Sequence, residues 1–129
     1  MIQGDQTLDG HITVCTAKGR LTFPEIRAKV IDLSTSGVTP RVLCDLTQAT
    51  VADLTSKEIE DIIKLISHYV TGAGGGKAAI IAHSGVDYGL ARMFGTFAEL
   101  AGLPVKVSVF RTFEIAKEWP KEPVTSVHP

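Results

Sequence analysis

The fold of this chain follows from the stretch Lys77-Ala78-Ala79-Ile80-Ile81-Ala82, an almost wholly apolar run that begins after a glycine-rich segment. A short run without a polar side is typical of a parallel strand that helices cover on both faces. The run is also far too short to span a bilayer. We therefore predict a buried strand here, at the centre of a sheet.

Helical patterns stand on both sides of this strand. Before it, Thr55-Ser56-Lys57-Glu58 has the form of a capping box, and isoleucines follow at helical spacing through Ile66. After it, the segment from Val86 to Ala101 places apolar residues on one face, and Gly102 should end that helix. Such a face usually belongs to a core, although an apolar pocket or a dimer face is the alternative. The residues of that face are Leu90, Met93, Phe94, Phe97 and Leu100.

Further strands are predicted outward from this centre. Val105, Val107 and Val109 alternate in a last strand, Arg41 to Asp45 forms a short buried one, and Leu46 to Leu54 follows as a loop. His11 to Ala17 forms another strand, which a turn at Asp9-Gly10 joins to a weak first strand at Thr7-Leu8. With a helix from Pro24, the order predicts an α/β domain with a four- to five-stranded, mostly parallel sheet flanked by helices.

Composition limits the class of protein. The 129 residues are 44% hydrophobic and 21% charged, with a net charge of −1 and a pI near 6.4, so nucleic acid is not an expected partner. We expect one domain over residues 1–120 and a mobile tail over 121–129. Without a signal-like start or a membrane span, and with Cys15 and Cys44 interpreted as reduced thiols, a cytoplasmic location is expected.

No catalytic or metal site is predicted. The four histidines share no ligand spacing, the acidic residues are expected on polar helix faces, and no cofactor motif occurs, so we expect neither metal, cofactor nor enzyme. A hydrolase built on His83 and Ser84 is a distant alternative. Adjacent residues of an extended strand point to opposite sides, however, and Ser84 suits a helix N-cap better than a nucleophile.

Ligands of open α/β sheets collect beyond the carboxyl ends of the strands. Polar residues at or near those ends therefore form a candidate rim for a ligand or partner, although ordinary loop polarity is the more common reason for any single one of them. They are Asp45, Thr47, His83, Ser84, Tyr88, Arg92, Arg111 and Thr112.

The stretch from Gly74 to Trp119 resembles the SpoIIAA-like family, which is related to STAS domains and has been compared with CRAL-TRIO lipid-transfer domains. The resemblance covers most of the chain, from Gly19-Arg20-Leu21-Thr22 onward. The resemblance rests on Ala78-Ala79-Ile80-Ile81, on Tyr88-Gly89-Leu90-Ala91-Arg92-Met93, and on Val109-Phe110-Arg111-Thr112-Phe113-Glu114-Ile115-Ala116 followed by Glu118-Trp119. It implies a non-catalytic α/β binding or regulatory module.

Two hypotheses follow from the resemblance. Relatives that antagonise anti-sigma factors carry Asp-Leu-Ser and then Asp-Ser-Ser-Gly, whose second serine is phosphorylated. Here Asp45-Leu46-Thr47 and Asp53-Leu54-Thr55-Ser56 stand in the same register, which makes Thr55 a candidate phosphoacceptor in a protein-binding module, or simply a helix cap. The second hypothesis is a small apolar or lipid-like ligand, held between the sheet and the helices around Ile59–Val70 and Leu90–Leu100. A homodimer is compatible with either.

Overall fold

Strands and helices alternate throughout the computed structural model, which describes residues 2, 6–8, 12–35, 41–69, 76–83 and 85–119. Ser84, the turn at Asp9-Gly10 and the tail 121–129 lie outside these residues. The strands are β1 Gln6–Leu8, β2 Ile12–Arg20, β3 Arg41–Thr50, β4 Gly76–Ile81 and β5 Val105–Phe110. The helices are α1 Phe23–Thr35, α2 Ser56–Tyr69, α3 Gly85–Leu100 and α4 Phe113–Ala116.

The five strands form one sheet in the order of the sequence, β1-β2-β3-β4-β5. β1 pairs antiparallel with β2, and the remaining pairs are parallel. The predicted α/β fold is therefore confirmed, with four parallel strands and one antiparallel edge strand. β4 lies in the interior between β3 and β5, and Ala79 and Ile81 within it are completely buried.

The sequential strand order determines where the helices lie. Crossovers between parallel strands are almost always right-handed, so a sheet that grows in one direction receives all its crossover helices on one face. α1, α2 and α3 accordingly form a layer on one face of the sheet, whereas α4 packs against β4 and β5 from the other. Alternate side chains of each strand face alternate layers.

The face toward α4 is a filled core. It combines large aliphatic side chains from β2, β3 and β4 with Ala116 of α4, and aromatic side chains pack around them. These residues are Ile12, Val14, Leu43, Ala79, Ile81, Ala116, Phe110, Phe113 and Trp119.

Lys77 of β4 is also buried, at 4% exposure. Its ammonium group donates a hydrogen bond of 3.2 Å to the Trp119 carbonyl oxygen and lies 4.7 Å from the centroid of that ring. These contacts offset part of the free energy that burying the charge costs.

Two sequence predictions are wrong in detail. The expected loop from Leu46 begins as strand, because β3 stays paired with Lys18, Gly19 and Arg20 beyond a bulge at Leu46-Thr47 of β3 and ends only at Thr50. On α3, Leu100 is 80% exposed and does not belong to the buried face. The predicted stop at Gly102 is confirmed by its positive φ of 69°, a conformation that glycine adopts without strain.

Candidate functional site

A cavity of about 580 Å³ separates the sheet from the layer formed by α1, α2 and α3. Its floor is the sheet, where side chains come from Cys15 and Ala17, from Val42, Cys44 and Leu46, and from Ala78 and Ile80. Its roof is made by Ile26, Val30 and Leu33 of α1, by Ile59, Ile62, Ile66 and Tyr69 of α2, and by Leu90, Ala91 and Phe94 of α3. The walls are therefore mostly aliphatic.

The cavity exists because the floor is built from small side chains. Cys15, Ala17, Cys44 and Ala78 occupy positions whose counterparts on the opposite face are filled largely by bulky aliphatic residues. In addition, α1 contributes no fully buried residue, and its Ile26 packs against the buried cluster of Ala17, Leu21 and Val51 at one part of this face. The two faces of the sheet thus differ in packing, and only the face toward α1–α3 leaves room for a guest.

The lining contains few polar side chains. Lys29, Ser34, Tyr69 and Lys77 are the polar members, and no acidic residue of the described chain contributes to the walls. The Lys77 ammonium group is engaged with Trp119 on the α4 side. The Lys29 side chain is only 16% exposed and forms an ion pair of 3.5 Å with Asp32 of the same helix.

Two cysteines lie side by side on the floor. Cys15 of β2 and Cys44 of β3 are register partners in neighbouring parallel strands, and neither forms a disulfide bond. Cys15 is buried, whereas Cys44 is only half-buried, as expected for a residue that faces an open space. Thiol modification can therefore be used to follow whether the cavity is occupied.

Part of the predicted rim comes together at the carboxyl ends of β4 and β5. The guanidinium carbon of Arg111 lies 4.0 Å from the centroid of the Tyr88 ring, and that of Arg92 lies 6.0 Å from it. Arg111 also donates a hydrogen bond of 3.2 Å to the backbone carbonyl of His83. Across the described ranges, neither arginine forms an ion pair with a carboxylate.

The other rim residues do not join this group. The Asp45 carboxylate accepts hydrogen bonds from the Thr47 amide at 2.9 Å and from its hydroxyl at 2.7 Å, so the two residues satisfy each other. Thr112 caps α4 through its side chain, which accepts a hydrogen bond from the Ile115 amide. Ser84 lies outside the described residues.

Asp87 is a site residue that the sequence predictions missed. It is 6% exposed, which contradicts the expectation that the acidic residues lie on polar helix faces. Its carboxylate accepts hydrogen bonds from the Val51 amide and the Thr50 hydroxyl, at the end of β3. An acidic residue in the first turn of a helix is common, so nothing local signals this distant partner.

Thr55 lies at the start of α2 and is exposed. The predicted capping box is present, since the Thr55 amide donates to Glu58 Oε1 at 3.0 Å and the Glu58 amide donates to Thr55 Oγ1 at 3.1 Å. Nearby, Arg20 is held by Asp53 through a hydrogen bond of 3.0 Å, and this carboxylate raises the pKa of the guanidinium. Because the Glu58 carboxylate accepts a hydrogen bond from the Thr55 amide, it already occupies the position at the start of α2 where another anion would bind.

No protein-family model and no curated protein matches this chain. The SpoIIAA-like assignment thus stays a prediction, with which the observed α/β fold is consistent. None of the described helices combines the length and apolar character needed to cross a membrane. Among the residues in the described ranges, no group of three or more His, Cys, Asp or Glu side chains could hold a metal ion.

Proposed function

We propose that this protein is a non-catalytic binding module that holds an apolar, chain-like small molecule between its sheet and helices α1–α3. The observation that carries the proposal is the cavity of about 580 Å³ with its aliphatic walls. Binding sites for small molecules commonly measure about 300–1,000 Å³ and are lined mainly by apolar side chains. The volume and the lining of this cavity both fall within that class.

An apolar guest would gain contacts in this cavity. The aliphatic side chains around the empty space lack partner atoms on the cavity side, and an alkyl chain would supply them. The cavity is open to solvent over part of its boundary, so a guest can enter it.

The walls also favour an elongated guest. On the floor, Val42, Cys44 and Leu46 follow one strand, a distance of about 13 Å at roughly 3.3 Å per residue. On the roof, Ile59 to Tyr69 spans about 15 Å at 1.5 Å per residue. A linear alkyl chain matches such a slot better than a single compact ring.

The hydrolase alternative lacks support from the described residues. The His83 side chain is exposed and makes no hydrogen bond to any described residue, and Asp45 is bound to Thr47 instead. Asp45 stands between the lining residues Cys44 and Leu46 of β3, so its side chain faces the α4 side of the sheet, and His83 lies beyond the end of β4 and is not part of the lining. Among the described residues, the walls therefore offer no general base of this kind.

The partner-binding hypothesis is weaker than the ligand-binding one. Thr55 is exposed and accessible to a kinase, but its hydroxyl lies 3.3 Å from Glu58 Oε1. A phosphate group there would stand next to a carboxylate, and like charges at this distance repel. The nearby Arg20 is already paired with Asp53. The geometry thus favours Thr55 as a helix cap.

Thiol labelling tests the proposal directly. Maleimide modification of Cys44 should slow when dodecan-1-ol is added, because the alkyl chain covers the floor of the cavity, and native mass spectrometry should show the complex. Ala78→Phe should weaken binding because its ring occupies part of the cavity floor, whereas the matched change Ala101→Phe, at an exposed turn, should not. The proposal would be refuted if the rate of maleimide modification of Cys44 stayed unchanged in the presence of alcohols of every chain length from eight to sixteen carbons.

A further inference from the structure

We infer that the protein binds a phosphate monoester group at a second site, outside the cavity, where Arg92 and Arg111 meet at the ring of Tyr88. The site lies at the corner between the carboxyl ends of β4 and β5 and the first turns of α3. None of these three residues belongs to the cavity lining, so the inference is independent of the proposed function.

One aromatic ring brings two cations together. The guanidinium carbon of Arg111 lies 4.0 Å from the centroid of the Tyr88 ring, and that of Arg92 lies 6.0 Å from it. The two cationic groups are therefore separated by no more than the sum of these distances. Two positive charges at such a separation repel each other, and an anion that contacts both replaces this repulsion with attraction.

The Arg111 guanidinium group is fixed in place before any ligand arrives. It packs on the half-buried Tyr88 ring and donates a hydrogen bond of 3.2 Å to the backbone carbonyl of His83, at the end of β4. This bond uses one of the five N–H donors of the group. A side chain held in this way loses less conformational entropy when it binds a ligand.

No carboxylate of a described residue pairs with either arginine. Other cations of the chain do pair with a nearby carboxylate, and the net charge of −1 shows that the surface is not basic in general. Asp87 precedes Tyr88 in the sequence, but its carboxylate is directed to the end of β3. The cations that form ion pairs include Arg20, Lys29, Lys57 and Lys117.

The backbone adds positive potential at the same corner. α3 is 16 residues long and begins at Gly85, two residues after His83, and Tyr88 lies in its first turn. The amino end of a helix carries a partial positive charge and favours anions. Ligands of open α/β sheets also collect beyond the carboxyl ends of the strands, which is where Arg111 follows β5.

The chemistry of the two cations favours a phosphate monoester over a carboxylate. Such a phosphate carries a charge of about −1.5 to −2 at neutral pH and presents three acceptor oxygens. It can therefore accept hydrogen bonds from both guanidinium groups and balance both charges, whereas one carboxylate fits one guanidinium group. Soluble phosphate esters and the phosphatidate head group share this chemistry.

The experiment measures the binding of glycerol 3-phosphate by calorimetry and the binding of phosphatidylcholine vesicles, with and without phosphatidate, by co-sedimentation. Arg92→Gln and Arg111→Gln should each weaken binding about tenfold or more, as expected for the loss of charge-assisted hydrogen bonds. Tyr88→Phe should retain binding because it keeps the ring. Circular dichroism should show that the variants are folded.

Arg27→Gln is the matched control, because Arg27 is an exposed arginine of α1 and removes the same charge far from this corner in the sequence. It should leave binding unchanged.

Binding of glycerol 3-phosphate that depends on Arg92 and Arg111 would support a soluble ester as the ligand. Binding of phosphatidate vesicles alone, with the same dependence, would support a lipid head group. An equal loss in Arg27→Gln, or no binding of either probe, would overturn the inference. The cavity proposal would be unaffected, because protection of Cys44 by alcohols tests it separately.

Discussion

The carboxylate of Asp87 accepts a hydrogen bond of 2.7 Å from the backbone amide of Val51, which lies 36 residues earlier in the chain. The same oxygen accepts a second bond of 2.9 Å from the Thr50 hydroxyl. This contact fastens the first turn of α3 to the end of β3. Leu90 and Ala91, one turn later, are thereby held opposite Val51 at one end of the cavity.

Replacing Asp87 by alanine should destabilise the fold. The change leaves the buried Val51 amide without its acceptor, which costs about 1–3 kcal/mol of the free energy of unfolding. Urea denaturation followed by circular dichroism measures the loss. Glu99→Ala, at an exposed position of the same helix, should change stability by less than about 0.5 kcal/mol. An equal effect of the two substitutions would show that the Asp87 contact is unimportant.

Adjacent alanines of β4 should respond in opposite ways to the same substitution. Ala78→Leu adds methylene groups to the cavity and should stabilise the ligand-free protein by up to about 2 kcal/mol. Ala79→Leu inserts the same groups into the filled core and should destabilise it by about 1–3 kcal/mol. Thermal unfolding of both variants provides the comparison. A loss of stability in both would mean that the α1–α3 side has no usable space.

Affinity should depend on the length of the alkyl chain. Each methylene buried contributes about 0.8 kcal/mol, which corresponds to about a fourfold gain in affinity. The gain should stop once the chain exceeds the slot of about 15 Å measured along α2. Calorimetry with a series of alcohols from eight to sixteen carbons checks this relation. Affinity that rises without a plateau would indicate nonspecific surface adsorption.

Thr55 should behave as a helix cap. Thr55→Ala removes the acceptor of the Glu58 amide and should cost about 1 kcal/mol, whereas Thr55→Asp should retain most of the stability, since aspartate is also a strong N-cap. Ligand affinity should be unchanged in both, because Thr55 does not line the cavity. Phosphopeptide mapping after incubation with ATP and a cell lysate offers the contrary test, since a modified Thr55 would favour the regulatory hypothesis.

The sequence was sufficient to predict the fold where the signal is local. The apolar run of β4, the capping box at Thr55 and the stop at Gly102 are each encoded within a few residues, and the structure confirms all three. The end of β3 is different. Thr47 and Gln48 interrupt the apolar pattern, and the strand continues there only because β2 offers a partner across a bulge.

The candidate site was predictable only in part. The apolar faces around α2 and α3 pointed to a possible ligand between sheet and helices, whereas α1 was not predicted to form part of the walls, although Ile26, Val30 and Leu33 recur at helical spacing in its sequence. The size of the cavity depends on residues from four strands and three helices together, so no single segment encodes it.

The consecutive order of the strands places the crossover helices on one face of the sheet and leaves the opposite face to a separate core. The aliphatic and aromatic side chains under α4 fill that core, whereas the proposed guest would touch only the other face. Residues such as Cys44, Ala78 and Val30, which line the cavity and are only half-buried, can therefore be exchanged to change the specificity of the cavity without disturbing the core under α4.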